Sequence, residues 1–354
     1  MDQTTLVKDA VELLKGLISI ESLSRKEENT AQYLAEFFEG NGMRIHRKLN
    51  NVWSFNLNFD PSKPTILLNS HHDTVKPNSG YSMDPFTPVV KDGKLFGLRS
   101  NDAGGCLVSL IAAFRHYYDM DNLRYNLVVA ATAEEEVSGH NGLECVFPEL
   151  SNVEFAIIGE PTQMHLAIAE KGLMVLDCVA HGKSGHAARE EGENAIYIAM
   201  NDIAWFKDYK FPKVSDMLGP IKMTTTVIHA GSQHNVVPDR CEFTVDIRIT
   251  EQYKNQEILD VIKENVKSVV YPRSVRLNSS FIPKEHPIVQ AGIKLGRDTY
   301  GSPTTSDQAI IDVPSLKCGP GDSARSHTAD EYVKLSEIEE GIRLYIAMLD
   351  QLVL

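Results

Sequence analysis

Apolar residues recur at helical spacing from the start of the chain. Leu6, Ala10, Leu13, Leu14, Leu17 and Ile18 share one face of residues 5–20, which predicts an amphipathic helix. A second helix is expected over 28–40, where the pattern ends on a glycine. The pattern then changes to short, uninterrupted apolar runs: TILLN at 65–69, NLVVAA at 126–131 and EFAII at 154–158. These predict buried strands, and a helical stretch at 105–118 separates the first two. Buried strands alternating with helices predict an α/β fold whose mostly parallel sheet is flanked by helices.

From residue 170 the period shortens. Residues 173–180, 224–229 and 241–249 read as strands, and 194–206 and 257–269 as helices. This βαββαβ-like order predicts a small α/β sandwich inserted into the first domain. The turn-rich stretch 279–287 marks the return, and two further helices are expected in 288–354. The expected division is 1–169 with 283–354 for one domain and 170–282 for the insert.

The three apolar runs lead directly into SHHD, TAEEE and GEPT. In open α/β sheets, ligands bind beyond the carboxyl ends of the strands, so these segments are expected to meet at one sheet edge. His71 and Asp73 are two residues apart at a strand end and project to one side, with His72 turned away. Asp73 is placed to accept the second imidazole N–H of His71. Asp102, in GLRSNDAGG before a helix, reads either as a cap or as a carboxylate shared by two cations. Glu134, Glu135 and Glu136 are adjacent and have no basic neighbour, an arrangement that burial makes costly unless cations neutralise it. Spacing does not say which glutamate does what. Glu160 precedes a proline, and His327 lies in the glycine-containing loop GPGDSARSHTADE.

His71, Asp102, Glu136, Glu160 and His327 are thus candidate metal ligands. Three carboxylates and one hydroxide balance two dications, and mixed imidazole and carboxylate donors suit zinc, with cobalt or manganese as substitutes.

Composition narrows the alternatives. A chain of 354 residues exceeds what one core usually serves, so two domains are expected. The net charge of -13 argues against a nucleic-acid partner. No run approaches the length of a membrane span. The cysteines (Cys106, Cys145, Cys178, Cys241 and Cys318) are scattered without a C-x-x-C pair, so neither a disulfide framework nor a thiolate zinc site is indicated. Residues 1–20 lack a basic start followed by an apolar core, so no signal peptide is expected and the reducing cytoplasm is the expected compartment.

Taken together, SHHDTV, GLRSNDAGG, TAEEE, IIGEPT, GKSGHAA, HNVVPD, DIR and GPGDSARSHTADE resemble the acetylornithine deacetylase / succinyl-diaminopimelate desuccinylase family of dizinc amidohydrolases and exopeptidases. The resemblance runs over essentially the whole chain. It implies a zinc-dependent catalytic domain with an inserted lid that serves for dimerisation. It also implies that His71 and Glu160 bind one zinc, Glu136 and His327 the other, and that Asp102 bridges them. Asp73 would support His71, and Glu135 would be the general base. His186 of GKSGHAA would reach a neighbouring subunit's site to polarise the scissile carbonyl, and Asn235 and Arg248 would contact the substrate carboxylate. The chain departs from the family where Asp102-Ala103-Gly104-Gly105 replaces the frequent Asp-Met-Lys-Gly, and where Glu134 stands for an aspartate.

Within that resemblance, the compact length and the EKGLMVLD segment look most like the acylornithine branch, hence arginine biosynthesis. The expected substrate is a small N-acyl amino acid whose acyl group is acetyl or succinyl. A succinyl tail needs an extra cation, for which Arg325 and Lys171 are candidates. The nearest rival is an exopeptidase on the same scaffold. A non-catalytic metal-binding protein would lack the base or a ligand, and the sequence has both.

Overall fold

The structure is a computed structural model that describes residues 2–354. The chain divides into two compact units, one formed by 1–168, 281–300 and 306–354, the other by 169–280 and 301–305.

In the first unit the central sheet has the order His46–Lys48, Asn51–Phe55, Asn126–Thr132, Thr65–His71, Val153–Ile158, Ser315–Lys317, Leu166–Glu170. Its middle is parallel, as expected of apolar runs buried on both faces. Thr65–His71 pairs with Asn126–Thr132 on one side and Val153–Ile158 on the other, and Ser315–Lys317 continues the parallel run. Every residue of Thr65–His71 and Asn126–Thr132 is buried.

Three helices, Gln3–Ile18, Gly105–Tyr117 and Leu335–Val353, pack against one another. The first is capped by Asp2, whose side chain accepts from Thr5 N at 3.1 Å, and it buries the six apolar residues that the periodicity singled out. A separate cluster gathers Leu67, Val128, Ala130, Ala156 and Ile158 beneath Leu143, Val146 and Leu150. Full burial of each large aliphatic side chain contributes about 1.5–3 kcal/mol. The strands are thus rigid mounts for whatever follows their carboxyl ends.

The second unit has the predicted βαββαβ order. Its sheet runs Lys222–Ala230, Arg240–Ile249, Gly172–His181, Val269–Pro272, all antiparallel. Met174, Leu176, Cys178, Val245 and Ile247 share its core with Ala199, Phe206, Ile258 and Ile262 of the helices Ala195–Asp208 and Asn255–Asn265.

One element differs from the sequence expectation. The helix expected over 257–269 stops at Asn265, and Val269–Pro272 is a strand. The apolar spacing of Ile262, Val266 and Val270 continues the helical period past the true end. The carboxylate of Asp202 accepts from Lys267 N at 3.1 Å and Ser268 N at 2.8 Å, which turns the chain out of the helix. Among the described residues, no helix is long and apolar enough to cross a membrane, and the five cysteines are free.

Candidate metal centre

The parallel register places the chemistry-bearing loops at one sheet edge. His71 lies opposite Thr132, and both Asn69 and Lys317 lie opposite Ile158. The acidic segment 134–136 follows the second strand, Glu160 the third, and the His327 loop comes after the fourth.

His71 is at the centre. Its Nε2 lies 3.5 Å from Asp102 Oδ1, 3.9 Å from Glu135 Oε2 and 3.9 Å from Glu160 Oε1. The other oxygen of Asp102, Oδ2, lies 3.6 Å from Nε2 of His327, which in turn lies 3.0 Å from Glu136 Oε2. Asp102 therefore faces two imidazoles, one with each carboxylate oxygen. No helix is capped by its side chain, so the capping alternative is set aside. The Asp102–Ala103 peptide is cis. Two triads, His71–Asp102–Glu136 and His71–Glu135–Glu160, bring one donor atom from each residue within 4.8 Å of the others.

Asp73 does more than support the imidazole. His71 Nδ1 lies 3.2 Å from the Asp73 carbonyl and 3.4 Å from its Oδ1. The same carboxylate accepts from Ser24 Oγ at 2.7 Å, Glu135 N at 3.1 Å and Glu136 N at 3.2 Å. It thereby fixes the strand-end histidine and the acidic turn together. His72 points away, as expected, between Asn50 O and Thr30 Oγ1. Burial pushes its pKa down to about 4, so it stays neutral.

The electrostatics are those of a buried cluster of acids around two imidazoles. Burial, with Asp102 nearby, pushes the Glu160 carboxyl up to about 8. Burial raises Glu135 well above the carboxylate range, with Glu160 and Asp307 adding to the effect against the pull of His71. On His71 burial acts downward, but Glu135, Asp102 and Asp73 outweigh it and raise the imidazole well above its ordinary value. The hydrogen bond to Glu136 lifts His327 to about 9. Burial opposes ionisation of Asp102 and Asp73, yet the adjacent imidazoles hold both below the usual carboxylate range.

Glu160 Oε1 is buried and has no hydrogen-bond partner, a defect in a protein core but an ordinary state for a metal ligand. Five carboxylate and imidazole residues with an orphaned oxygen fit a pair of divalent cations by donor type, charge and proximity.

Two acids here were not singled out from the sequence. Glu331, 1% exposed, accepts from Asn101 N at 2.7 Å and Asp102 N at 2.9 Å, and burial, with Asp102, pushes its carboxyl up to about 8. Its position four residues past His327 was the one available signal. Asp307, also buried, accepts from Asn69 Nδ2 at 2.9 Å and Thr132 Oγ1 at 3.0 Å, and burial pushes it up to about 6. It follows Ser306, which reads as ordinary helix-start chemistry and does cap a short helical turn.

The remaining predicted residues are Arg325, two positions before His327, and three residues of the second unit. Arg325 belongs to the first unit, where its two terminal nitrogens bind Glu337 at 2.8 and 2.9 Å and its guanidinium lies 4.6 Å from the Tyr332 ring centre. Its fork is engaged within the fold. His186, Asn235 and Arg248 belong to the second unit. Arg248 is paired with Asp246 at 2.9 and 3.1 Å. Ala187 N donates to Asn235 O at 3.0 Å, so the segments bearing His186 and Asn235 run side by side. His186 Nδ1 accepts from Ala188 N at 3.1 Å, which puts the proton of the neutral ring on Nε2, and the side chain is exposed.

Comparison with known proteins gives the family of the chain and the relatives of its fold. Residues 67–351 match the sequence pattern of peptidase family M20/M25/M40. The chain belongs to that family. It is 28% identical to an acetylornithine deacetylase of Proteus mirabilis, over 93% of each chain. Its fold is that of aminopeptidase PepT from Bacillus cereus, with a TM-score of 0.78, 19% identity and 98% of each chain covered. It also superposes on the Bacillus subtilis YXEP protein, described as a dinuclear metal-binding peptidase of family M20, with a TM-score of 0.72, 14% identity and 98% of each chain covered. This M20 member is a metal-dependent hydrolase with the mixed α/β architecture of its relatives.

Proposed function

We propose that this M20 hydrolase removes an acyl group, acetyl or succinyl, from the α-amine of ornithine or a related amino acid, using two zinc ions. The observation that carries the metal chemistry is Asp102 facing His71 with one oxygen and His327 with the other. His71 and Glu160 would hold one ion, Glu136 and His327 the second, with Asp102 shared. The ions would supply Lewis acidity, easing deprotonation of water and drawing electron density from the amide carbonyl. Support for the deacylase reading comes from the relative named acetylornithine deacetylase, which this chain matches over 93% of its length.

Glu135 takes a proton from the attacking water and returns it to the amine that leaves, so water and amide become acid and amine. Asp73 holds the imidazole of His71 and the backbone of Glu135 in one geometry. His186, with its proton on Nε2, donates to the developing oxyanion in a partner's site. Asn235 and Arg248 bind the substrate carboxylate.

Pairing through the second unit gives His186 that partner. The unit's edge strand, Lys222–Ala230, is nine residues long and carries exposed Val227 and Ile228, while the helix Ala195–Asp208 exposes Tyr197 and Met200. An uncovered edge of this kind is a template for pairing with a second copy. Free cysteines accord with a cytoplasmic enzyme of amino-acid biosynthesis, specifically arginine biosynthesis.

A panel of N-acetyl- and N-succinyl-ornithine against dipeptides tests the substrate class. An acyl-ornithine is expected to exceed every dipeptide in kcat/KM by at least about tenfold, the scale on which single pocket contacts discriminate. The opposite order assigns the chain to the exopeptidases. The same panel with Arg325→Ala separates the acyl groups. Loss confined to the succinyl substrate places that tail on Arg325, and equal loss on both assigns Arg325 to its pair with Glu337.

A further inference from the structure

We propose that Glu331 is a positioning residue that sets the distance between the two halves of the metal centre. The proposal rests on the metal-site reading above and concerns a group to which that reading gave no part. Asp102 must present each carboxylate oxygen to a different imidazole, so its main chain has to be fixed relative to both. The strand pairing Thr65–His71 anchors the His71 side. The His327 side belongs to a loop, in which His327 itself adopts φ +59.

Glu331 links these parts. It lies four residues after His327 and immediately before the strand Tyr332–Lys334, which pairs with Lys94–Phe96. Its main-chain oxygen accepts from Gly97 N at 3.0 Å, so its backbone is tied to the segment leading into Asp102. Its side chain crosses to the Asp102 segment, where one oxygen accepts both Asn101 N and Asp102 N. Asn101 completes the clamp: its Nδ2 donates to Asp322 O at 3.0 Å and its Oδ1 accepts from Asp322 N at 3.0 Å, at the start of the His327 loop. The loop bearing His327 is therefore bound to the loop bearing Asp102 on both of its flanks.

One carboxyl oxygen accepting two backbone N–H groups holds both at fixed distance and direction. Shortening the side chain by one methylene withdraws that oxygen from both donors. Replacing the acid with an amide keeps an acceptor oxygen at the same reach.

The experiment is zinc titration of the full-length protein against a competing chelator, for wild type, Glu331→Gln and Glu331→Asp, with the melting temperature of each metal-stripped protein measured alongside. The expected result is Glu331→Gln binding two ions within a few-fold of wild type, and Glu331→Asp binding at least one ion about 10- to 100-fold more weakly, the usual effect of disturbing a group behind the ligands. Wild-type affinity in Glu331→Asp overturns the proposal, as does equal weakening in both variants. Weakened binding in a Glu331→Asp protein that is unfolded at the titration temperature when metal-stripped also overturns it, in favour of a folding role. A wild-type protein that binds no zinc would instead sink the metal-site reading itself.

Discussion

Glu135→Ala is expected to bind two zinc ions as wild type does and to lose about 10²- to 10⁴-fold in kcat, the range a positioned general base supplies. The position of Glu135 is compatible with two roles, base and ligand. It is 3.9 Å from His71 Nε2 and forms one of the close triads with His71 and Glu160, so proximity alone would also admit it as a ligand. A ligand and a base respond differently to truncation. Removing a ligand lowers metal content, whereas removing a base leaves content intact and stops proton transfer. Metal content measured on the same preparation as turnover separates the two. Retained activity with full zinc would overturn the assignment, and loss of an ion would transfer the base role to another group.

Asp102→Ala is expected to have the larger effect on metal. Its two oxygens face His71 and His327 separately, so in the proposed centre truncation would take a donor from both ions. The protein should lose at least one ion at stoichiometric zinc. The Lewis-acid contribution is worth several kcal/mol, so a loss of about 4 kcal/mol lowers kcat/KM by about 10³-fold. The metal-stripped variant should still fold, because the side chain caps no helix and the backbone bonds to Glu331 survive. Metal content and far-ultraviolet circular dichroism check the two halves of this statement. Two tightly bound ions in Asp102→Ala would deny it the shared position.

Much of this site was legible in the sequence because the parallel sheet imposes a rule. Buried strands are continuous apolar runs, and polar residues directly after them fall at one edge. SHHD, TAEEE and GEPT therefore point to a common location from the sequence alone. The His71–Asp73 pairing followed from the two-residue repeat of a strand.

What stayed hidden depends on tertiary partners. Asp307 is marked only by hydrogen bonds from Asn69 and Thr132, more than a hundred residues away in the chain. Glu331 acts on backbone N–H groups, which carry no sequence signature. The strand Val269–Pro272 was concealed by an apolar period that Asp202 interrupts from another helix. The engagement of Arg325 by Glu337 is likewise invisible in the sequence, since the two lie twelve positions apart on different elements.

The most direct measurement is anomalous X-ray scattering at the zinc absorption edge from crystals of the zinc-loaded protein. Two peaks are expected on either side of Asp102, one beside His71 and Glu160, the other beside Glu136 and His327. A single peak, or peaks that leave Asp102 outside bonding distance of either ion, would contradict the shared-carboxylate centre on which the proposed chemistry rests.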